Sequence, residues 1–239
     1  MEEHPDSLGL LNWNIIQSNA PKTAACIFST VTSCLDNFSN DSILELSKMN
    51  RHFDISRLNR IKSILFITTS PTDNSTCKFI DIVYSLLFKE LFKEASKNLN
   101  NTLLTPVHII CDDFACGGTI PNFDRYISIF RAYGISVTIL LQDETQLKNM
   151  YGSYAASTII NNCDTIVYTG GMDLTTQSTM SQRTNTPMVE IQELPLDKVI
   201  VCRRGISSFI DTRYQTYNDE LYKNVLALSK DNEHISFAL

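Results

Sequence analysis

The chain has 239 residues, a hydrophobic fraction of 43% and a formal net charge of −6. This length can bury a full core and predicts one large domain, or one domain with a small appendage. The negative net charge argues weakly against a surface that binds nucleic acid over a wide area. It is compatible with a protein whose few basic residues line the pore of a ring. No apolar run approaches the roughly 18 residues that a membrane span needs, so we expect a soluble, cytoplasmic chain.

The cysteines and histidines indicate neither disulfides nor zinc. Seven cysteines are scattered without a C-x-x-C spacing, and the N-terminal residues lack the features of a secretory signal. We therefore interpret the cysteines as reduced thiols of a cytosolic protein. None of the four histidines stands at metal-ligand spacing from another histidine or cysteine. A structural zinc site is not expected.

Residues 1–60 are predicted to form a helical lead-in. Apolar residues recur at the spacing of one helix face and predict a helix between about residues 20 and 49. Asp41-Ser42 is a typical helix cap and predicts a short helix that ends at Leu46. We place the boundary with a sheet domain, residues 61–239, between Arg57 and Lys62. The face of the first helix consists of Ala24, Ile27, Phe28, Val31 and Leu35.

From residue 63 onward, apolar strands alternate with amphipathic helices. Continuous apolar strands in this order are typical of a parallel sheet that helices cover on both faces. The predicted strands are Ser63–Thr68, Val107–Cys111, Val137–Leu141, Thr165–Tyr168, Lys198–Cys202 and Ser208–Asp211. The long helix after the first strand is predicted to turn Phe79, Val83, Leu86, Leu87, Leu91 and Ala95 inward, and Lys89, Glu90, Lys93 and Glu94 outward. Further helices are predicted around Phe123–Phe130, Leu147–Tyr151 and Ala155–Ile160, and from Leu174.

Parallel sheets of this kind bind ligands at the carboxyl ends of their strands. Polar residues follow the predicted strands at that edge. Asp112 and Asp113 are the most informative of them. Acids at a strand end can simply terminate the strand in solvent. In phosphate-processing α/β proteins, however, the first acid holds magnesium and the second faces the attacking water. Two adjacent carboxylates repel each other unless a cation neutralises them. The whole edge is predicted to carry Ser70, Asp112, Asp113, Gln142 and Gly170-Gly171.

Gln142 and three arginines complete the candidate residues. Gln142 ends the next strand and is either an ordinary polar residue or a sensor of a terminal phosphate. Arg131 ends a helix, where a cation favours the helix dipole, or it acts in trans at a subunit boundary. Arg203 and Arg204 form a basic turn that is a solvated hairpin tip or a weak contact with DNA or phosphate. The sequence contains no G-x-x-x-x-G-K-[ST] phosphate loop. An unrelated small ligand at the same edge is a further alternative.

Several of these stretches together resemble the C-terminal part of the TraG/TraD-type coupling ATPases of conjugative type IV secretion systems. The resemblance covers most of the chain and is sharpest between about residues 106 and 173. It rests on the sequence VHIICDDFACGGTIPNF at Val107–Phe123, on Arg131–Ser136, on Leu141-Gln142 with Gln146-Leu147 and Tyr151, on Asn162–Thr165, on Gly170-Gly171-x-Asp173, on Leu194-Pro195 and on Arg204-Gly205.

The resemblance implies part of a RecA-like motor that forms a hexameric ring at the cytoplasmic face of the inner membrane. Such motors use ATP and magnesium to pass a relaxase-bound single DNA strand to the secretion channel. The implied partners are other coupling-protein subunits, the relaxase, single-stranded DNA and the channel. Family members carry a membrane anchor, a phosphate loop and an inserted all-helical domain. We expect residues 1–60 to be the last helices of that insertion.

By resemblance, Asp112 holds magnesium, Asp113 stands where the family has a catalytic glutamate, and Gln142 is the phosphate-sensing glutamine. The chain departs from the family at Asp113, which is one methylene shorter, at Cys116 in place of asparagine, and at Tyr133 in place of a basic residue. We therefore expect a weakened or lost ATPase. Because the chain has no phosphate loop, we also expect it to be inactive alone and to bind no nucleotide tightly. The alternative is a non-catalytic module that docks to coupling-protein or relaxosome partners.

Overall fold

The computed structural model describes residues 8–36, 48, 54–68, 77–115 and 118–231. The helices are α1 Leu8–Gln17, α2 Pro21–Asp36, α3 Cys77–Ser96, α4 Phe123–Phe130, α5 Glu144–Asn161, α6 Leu174–Thr184, α7 Met188–Gln192 and α8 Glu220–Asp231. The strands are β1 Val107–Cys111, β2 Ile135–Ile139, β3 Thr165–Tyr168, β4 Lys198–Arg203 and β5 Phe209–Thr212. Within these ranges, no helix is long and apolar enough to cross a membrane. The alternation of strands and helices confirms the predicted α/β class.

β1 and β2 form a parallel pair joined through α4, as the sequence predicts. Their register runs from Val107 opposite Ile135 to Cys111 opposite Ile139. The ladder continues past both strands, because Leu140 N donates to Cys111 O at 2.9 Å and Phe114 N donates to Leu140 O at 3.0 Å. This continuation holds the residues after β1 beside the residues after β2.

Helices α3, α4 and α5 cover one face of the β1–β2 pair. Val107, Ile109 and Cys111 point into this core, where Phe88 and Phe130 are fully buried. The rings of Phe88 and Phe130 meet edge to face with centroids 5.1 Å apart, a geometry that aromatic pairs prefer. The alternation of buried and exposed residues along β1 follows from the two-residue period of a strand.

The opposite face of the β1–β2 pair is open among the described residues, which differs from the predicted two-sided cover. Ile110 is 69% exposed on this face, and His108 Nε2 lies 2.8 Å from Thr138 Oγ1 across the two strands. The predicted strand at Ser63–Thr68 is wrong, since this segment has no regular structure and leaves Ile64 80% and Phe66 74% exposed. An extended segment needs a paired neighbour for its backbone groups, and no described residue pairs with it.

The remaining strands form a separate antiparallel sheet in the order β3-β4-β5, which corrects the expectation that every strand is parallel. Tyr168 pairs with Ile200 between β3 and β4, and Val201 pairs with Phe209 between β4 and β5. The β4–β5 connection is a short turn with Gly205 at φ 85°, and so short a connection joins antiparallel strands only. The small core of this sheet consists of Tyr168, Met180, Ile191 and Ile200.

Other boundaries and faces differ in detail from the predictions. On α3, Leu86 is 55% exposed and Glu94 is 3% exposed, although the sequence predicts the reverse. Glu94 forms an ion pair with Lys97, and this opposite charge compensates for burying the carboxylate. The two helices predicted after Gln142 are confirmed, because Gly152, with φ 78° and ψ 157°, is non-helical and divides Glu144–Asn161 into two helical segments. The helix predicted at Asp41-Ser42 lies outside the described residues, and the division near residue 60 stays a prediction.

Candidate functional site

Asp112 and Asp113 form a tight turn at the carboxyl end of β1. Asp113 has φ 46°, a left-handed conformation that costs a non-glycine residue about 1–3 kcal/mol. The turn is fixed on both sides, since Cys111 and Phe114 are buried. Phe114 stacks on Tyr151 of α5, with centroids 5.6 Å apart. Buried neighbours thus hold two exposed carboxylates outward at the sheet edge.

Gln142 lies against Asp113, as expected for residues at the ends of neighbouring parallel strands. Gln142 Nε2 donates to Asp113 Oδ1 at 3.2 Å, and Gln142 Oε1 accepts a hydrogen bond from Gln146 Nε2, also at 3.2 Å. The structure therefore brings Asp112, Asp113 and Gln142 together. Their chemical roles stay predictions.

The first turn of α5 carries Gln146 and is fixed by its N-cap. Asp143 has extended backbone angles, and its Oδ1 accepts a hydrogen bond from Gln146 N at 2.8 Å. An N-cap of this kind satisfies one of the unpaired amides at a helix start. Gln142 immediately precedes the cap, so the positive end of the α5 dipole lies beside the two acids.

Burial suppresses ionisation of the groups beneath this turn. Burial raises the pKa of the Cys111 thiol to about 11, so this cysteine is neutral at physiological pH. Burial also raises the pKa of the Tyr151 phenol, whose oxygen accepts a hydrogen bond from Ile120 N at 2.9 Å. The pKa of Asp81 on α3 is raised by burial as well.

The acidic pair fits a magnesium ion that has few protein ligands. No group of three or more His, Cys, Asp or Glu side chains converges in the described part of the chain. Magnesium is usually held by one or two carboxylates and takes its other ligands from water and phosphate oxygens. Asp112 and Asp113 can supply these carboxylates.

Arg131 lies away from this edge of the sheet. It is exposed in a 3₁₀ turn before β2, whereas Asp113 and Gln142 lie beyond the carboxyl ends of β1 and β2. A strand of five residues such as β2 is about 16 Å long. Arg131 therefore does not reach the acids of its own chain. Both predicted roles, a helix-terminal cation and a residue acting on a neighbouring subunit, stay open.

Arg203 and Arg204 lie at the β4–β5 turn, as the sequence predicts. Arg204 Nη2 donates to Asn161 O at 2.8 Å, and its Nη1 lies 3.5 Å from Asp164 Oδ1. This places a cation at the C-terminus of α5, where the helix dipole favours it. Arg203 is exposed, and its guanidinium is available to an external ligand.

Gly170-Gly171, predicted at the same edge, belongs to the antiparallel sheet. Asp173 Oδ2 accepts from Thr176 N at 2.7 Å, and Gln177 Nε2 donates to Gly171 O at 2.7 Å. Both bonds hold the glycine segment as the start of α6. Ser70 and Cys116 lie outside the described residues. Tyr133, where a basic residue was expected, packs on Phe92 with centroids 4.8 Å apart.

Sequence reasoning missed two contributors to the site. Gln146 had no assigned role, although its spacing of four residues from Gln142 on a helix is the available signal. Glu144 forms an ion pair with Arg183 of α6, which ties the start of α5 to the second sheet. Nothing local in the sequence indicates that long-range pair.

The fold defines a class, that of α/β domains. Three structures of the bacterial plasmid coupling protein TrwB share this fold. The complex with a non-hydrolysable GTP analogue has a TM-score of 0.61 at 15% identity, covering 82% of this chain and 51% of that one. The complex with ADP and Mg²⁺ has a TM-score of 0.62 at 16% identity, covering 83% and 52%. The trigonal form with sulphate has a TM-score of 0.60 at 14% identity, covering 82% and 51%.

The family follows from the sequence. The model of the type IV secretory system conjugative DNA transfer family matches residues 3–194, and the chain belongs to this family. No curated protein sequence matches the chain. The chain spans about half the length of the TrwB structures that it resembles.

Proposed function

We propose that the chain is the C-terminal part of the motor domain of a conjugative coupling ATPase. In this role it helps to drive relaxase-bound single-stranded DNA into a type IV secretion channel. The observation that carries the proposal is the contact between Gln142 and Asp113, beside Asp112, in a member of this family. An acid that can hold magnesium and an amide that can orient water or phosphate are among the groups that phosphoryl transfer uses.

Each residue of the edge has a distinct proposed role. Asp112 holds magnesium, which neutralises phosphate charge when it is bound. Asp113 accepts a proton or a hydrogen bond from the attacking water, and Gln142 donates to a terminal phosphate oxygen. The TrwB complex with ADP and Mg²⁺ supports this ligand class. The shorter reach of Asp113 compared with glutamate predicts slow turnover, because the position of the water is sensitive to small displacements.

The proposed partners follow from the same assignment. Arg131 acts on the site of a neighbouring subunit in a ring, since it does not reach its own. Arg203 contacts DNA phosphates, and Arg204 contributes less because Asn161 and Asp164 already occupy it. Such contacts are non-specific and weaken with salt. The assembled ring with its relaxase partner lies at the cytoplasmic face of the membrane.

Metal binding at the acidic pair tests the proposal. Manganese prefers the same oxygen ligands as magnesium and broadens the NMR signals of nearby nuclei. With Mn²⁺ and millimolar ATP, we expect the broadening to centre on the backbone signals of Asp112, Asp113 and Gln142. Asp112→Ala should abolish it. The matched control is Asp197→Ala, which removes a carboxylate that is 60% exposed. Broadening that is equal at Asp197 and Asp112, or absent, would contradict the proposal.

A second candidate function is docking without ATP turnover. It is favoured by the open face of the β1–β2 pair, where Ile110 is 69% exposed. An uncovered apolar sheet face is typical of an interaction surface. The partner that fits is the half of a coupling protein that this chain does not span.

Co-purification with that half, produced from the same genetic element, separates the two functions. We expect Ile110→Lys to weaken the complex strongly and Leu196→Lys, at an 89% exposed position outside this face, to leave it intact. A complex that forms but does not hydrolyse ATP would favour docking. The absence of any complex at high concentration would exclude it.

A further inference from the structure

Three side chains form a continuous chain of hydrogen bonds at the candidate site, and we call it the amide chain. Gln146 Nε2 donates to Gln142 Oε1, and Gln142 Nε2 donates to Asp113 Oδ1, both at 3.2 Å. The two ends of the Gln142 carboxamide are thus held by different partners.

The amide chain selects one of two orientations of Gln142. A carboxamide presents donors on nitrogen and an acceptor on oxygen, and rotation by half a turn exchanges them. With the oxygen toward Asp113, two acceptors would face each other. The donor from Gln146 stabilises the opposite orientation, with the Gln142 nitrogen toward Asp113.

The environment of Gln146 indicates that its amide nitrogen is the functional end. Its backbone N–H donates to Asp143 Oδ1, which fixes the Gln146 backbone in the first turn of α5. Its Oε1 is buried without a hydrogen-bond partner. A buried unpaired acceptor is unfavourable, and an apolar side chain of the same length would avoid it. A packing role alone therefore does not account for a glutamine here.

We propose that Gln146 is a positioning residue that keeps the Gln142 amide nitrogen directed toward Asp113 and the phosphate position. This inference rests on the proposed function for its purpose, since only a donor can bind a phosphate oxygen. The geometric part does not depend on nucleotide binding.

The test follows the Gln142 side-chain amide signals by NMR in the full, deuterated 239-residue chain. Asp113→Asn should shift these signals, because it replaces the acceptor. In a Gln146→Met background only the Asp113 carboxylate still orients the Gln142 amide, so the preference weakens and the effect of Asp113→Asn should fall. Gln146→Glu should reduce it further, because the new carboxylate competes with Asp113 for the Gln142 nitrogen.

The control is Asn149→Ala, on an exposed position of the same helix, which should leave the effect of Asp113→Asn unchanged. If Gln146 has only a structural role, the shift caused by Asp113→Asn should be the same in the wild-type, Gln146→Met and Gln146→Glu backgrounds. That result would overturn the inference. If Gln146→Glu does not fold, Gln146→Met still decides. Failure of Mn²⁺ binding with intact coupling of the amide signals would remove the proposed function and leave the positioning role.

Discussion

The two sheets use the same types of residue in different ways. After β1, Asp113 makes no cap to a helix, and its carboxylate contacts a side chain from the neighbouring strand. After β3, Asp173 bonds to the backbone and hydroxyl of Thr176 and serves as the N-cap of α6. A strand-end acid is therefore a strong candidate for chemistry when no helix start occupies its oxygens. This criterion separates Asp112 and Asp113 from Asp173.

The sheets also differ in how deeply they are packed, and core truncations should show it. Phe88 is fully buried among aromatic rings beside β1, so Phe88→Ala should cost about 3–5 kcal/mol of unfolding free energy. Met180 lies in the smaller core of the second sheet, and Met180→Ala should cost about 2–3 kcal/mol. Urea unfolding measures both values. Ile82→Ala, on the exposed side of the Phe88 helix, is the control with little expected effect. Equal losses at Phe88 and Met180 would contradict the ranking.

The Asp173 cap predicts a loss of stability at acid pH. Hydrogen bonds from Thr176 hold the pKa of Asp173 below its usual value. A carboxyl with a lowered folded pKa stabilises the fold above its unfolded pKa, and this stabilisation is lost as the pH falls through the folded pKa.

Thermal unfolding followed from neutral pH to about 3 tests this dependence, since unperturbed Asp titrates near 3.9. Asp173→Asn keeps a capping side chain without the charge and should lack this acid-dependent loss. An unchanged acid dependence in Asp173→Asn would show that other carboxylates cause it.

The ion pair between Glu144 of α5 and Arg183 of α6 links the helices of the two sheets. Its contribution to the free energy of unfolding is the smallest effect that we predict. Both side chains are partly exposed, so a double-mutant cycle to alanine should give a coupling of about 0.5–1 kcal/mol. High salt should reduce this coupling. A coupling near zero would show that this ion pair does not stabilise the contact between α5 and α6.

Local sequence patterns predict the strands and helices that carry the site. The features that they do not predict depend on contacts that these patterns do not specify. The apolar run before Asp112 and the stripe of α4 predict β1, α4 and the position of Gln142 correctly. The segment Ser63–Thr68 has the same apolar content, yet no described strand lies beside it. The burial of Glu94 depends on Lys97, and the antiparallel pairing of β3 depends on a strand some thirty residues later, at Lys198–Arg203. The amide chain depends on side-chain orientation, which spacing alone does not specify.

The open face of the β1–β2 pair has a consequence for how the purified chain behaves. Ile110 leaves apolar surface on this face in contact with water, and such surface binds fluorescent hydrophobic dyes and promotes precipitation. Dye fluorescence and light scattering should therefore be high for this chain alone and fall when a partner covers the face. Colloidal behaviour then becomes a simple assay for the correct partner.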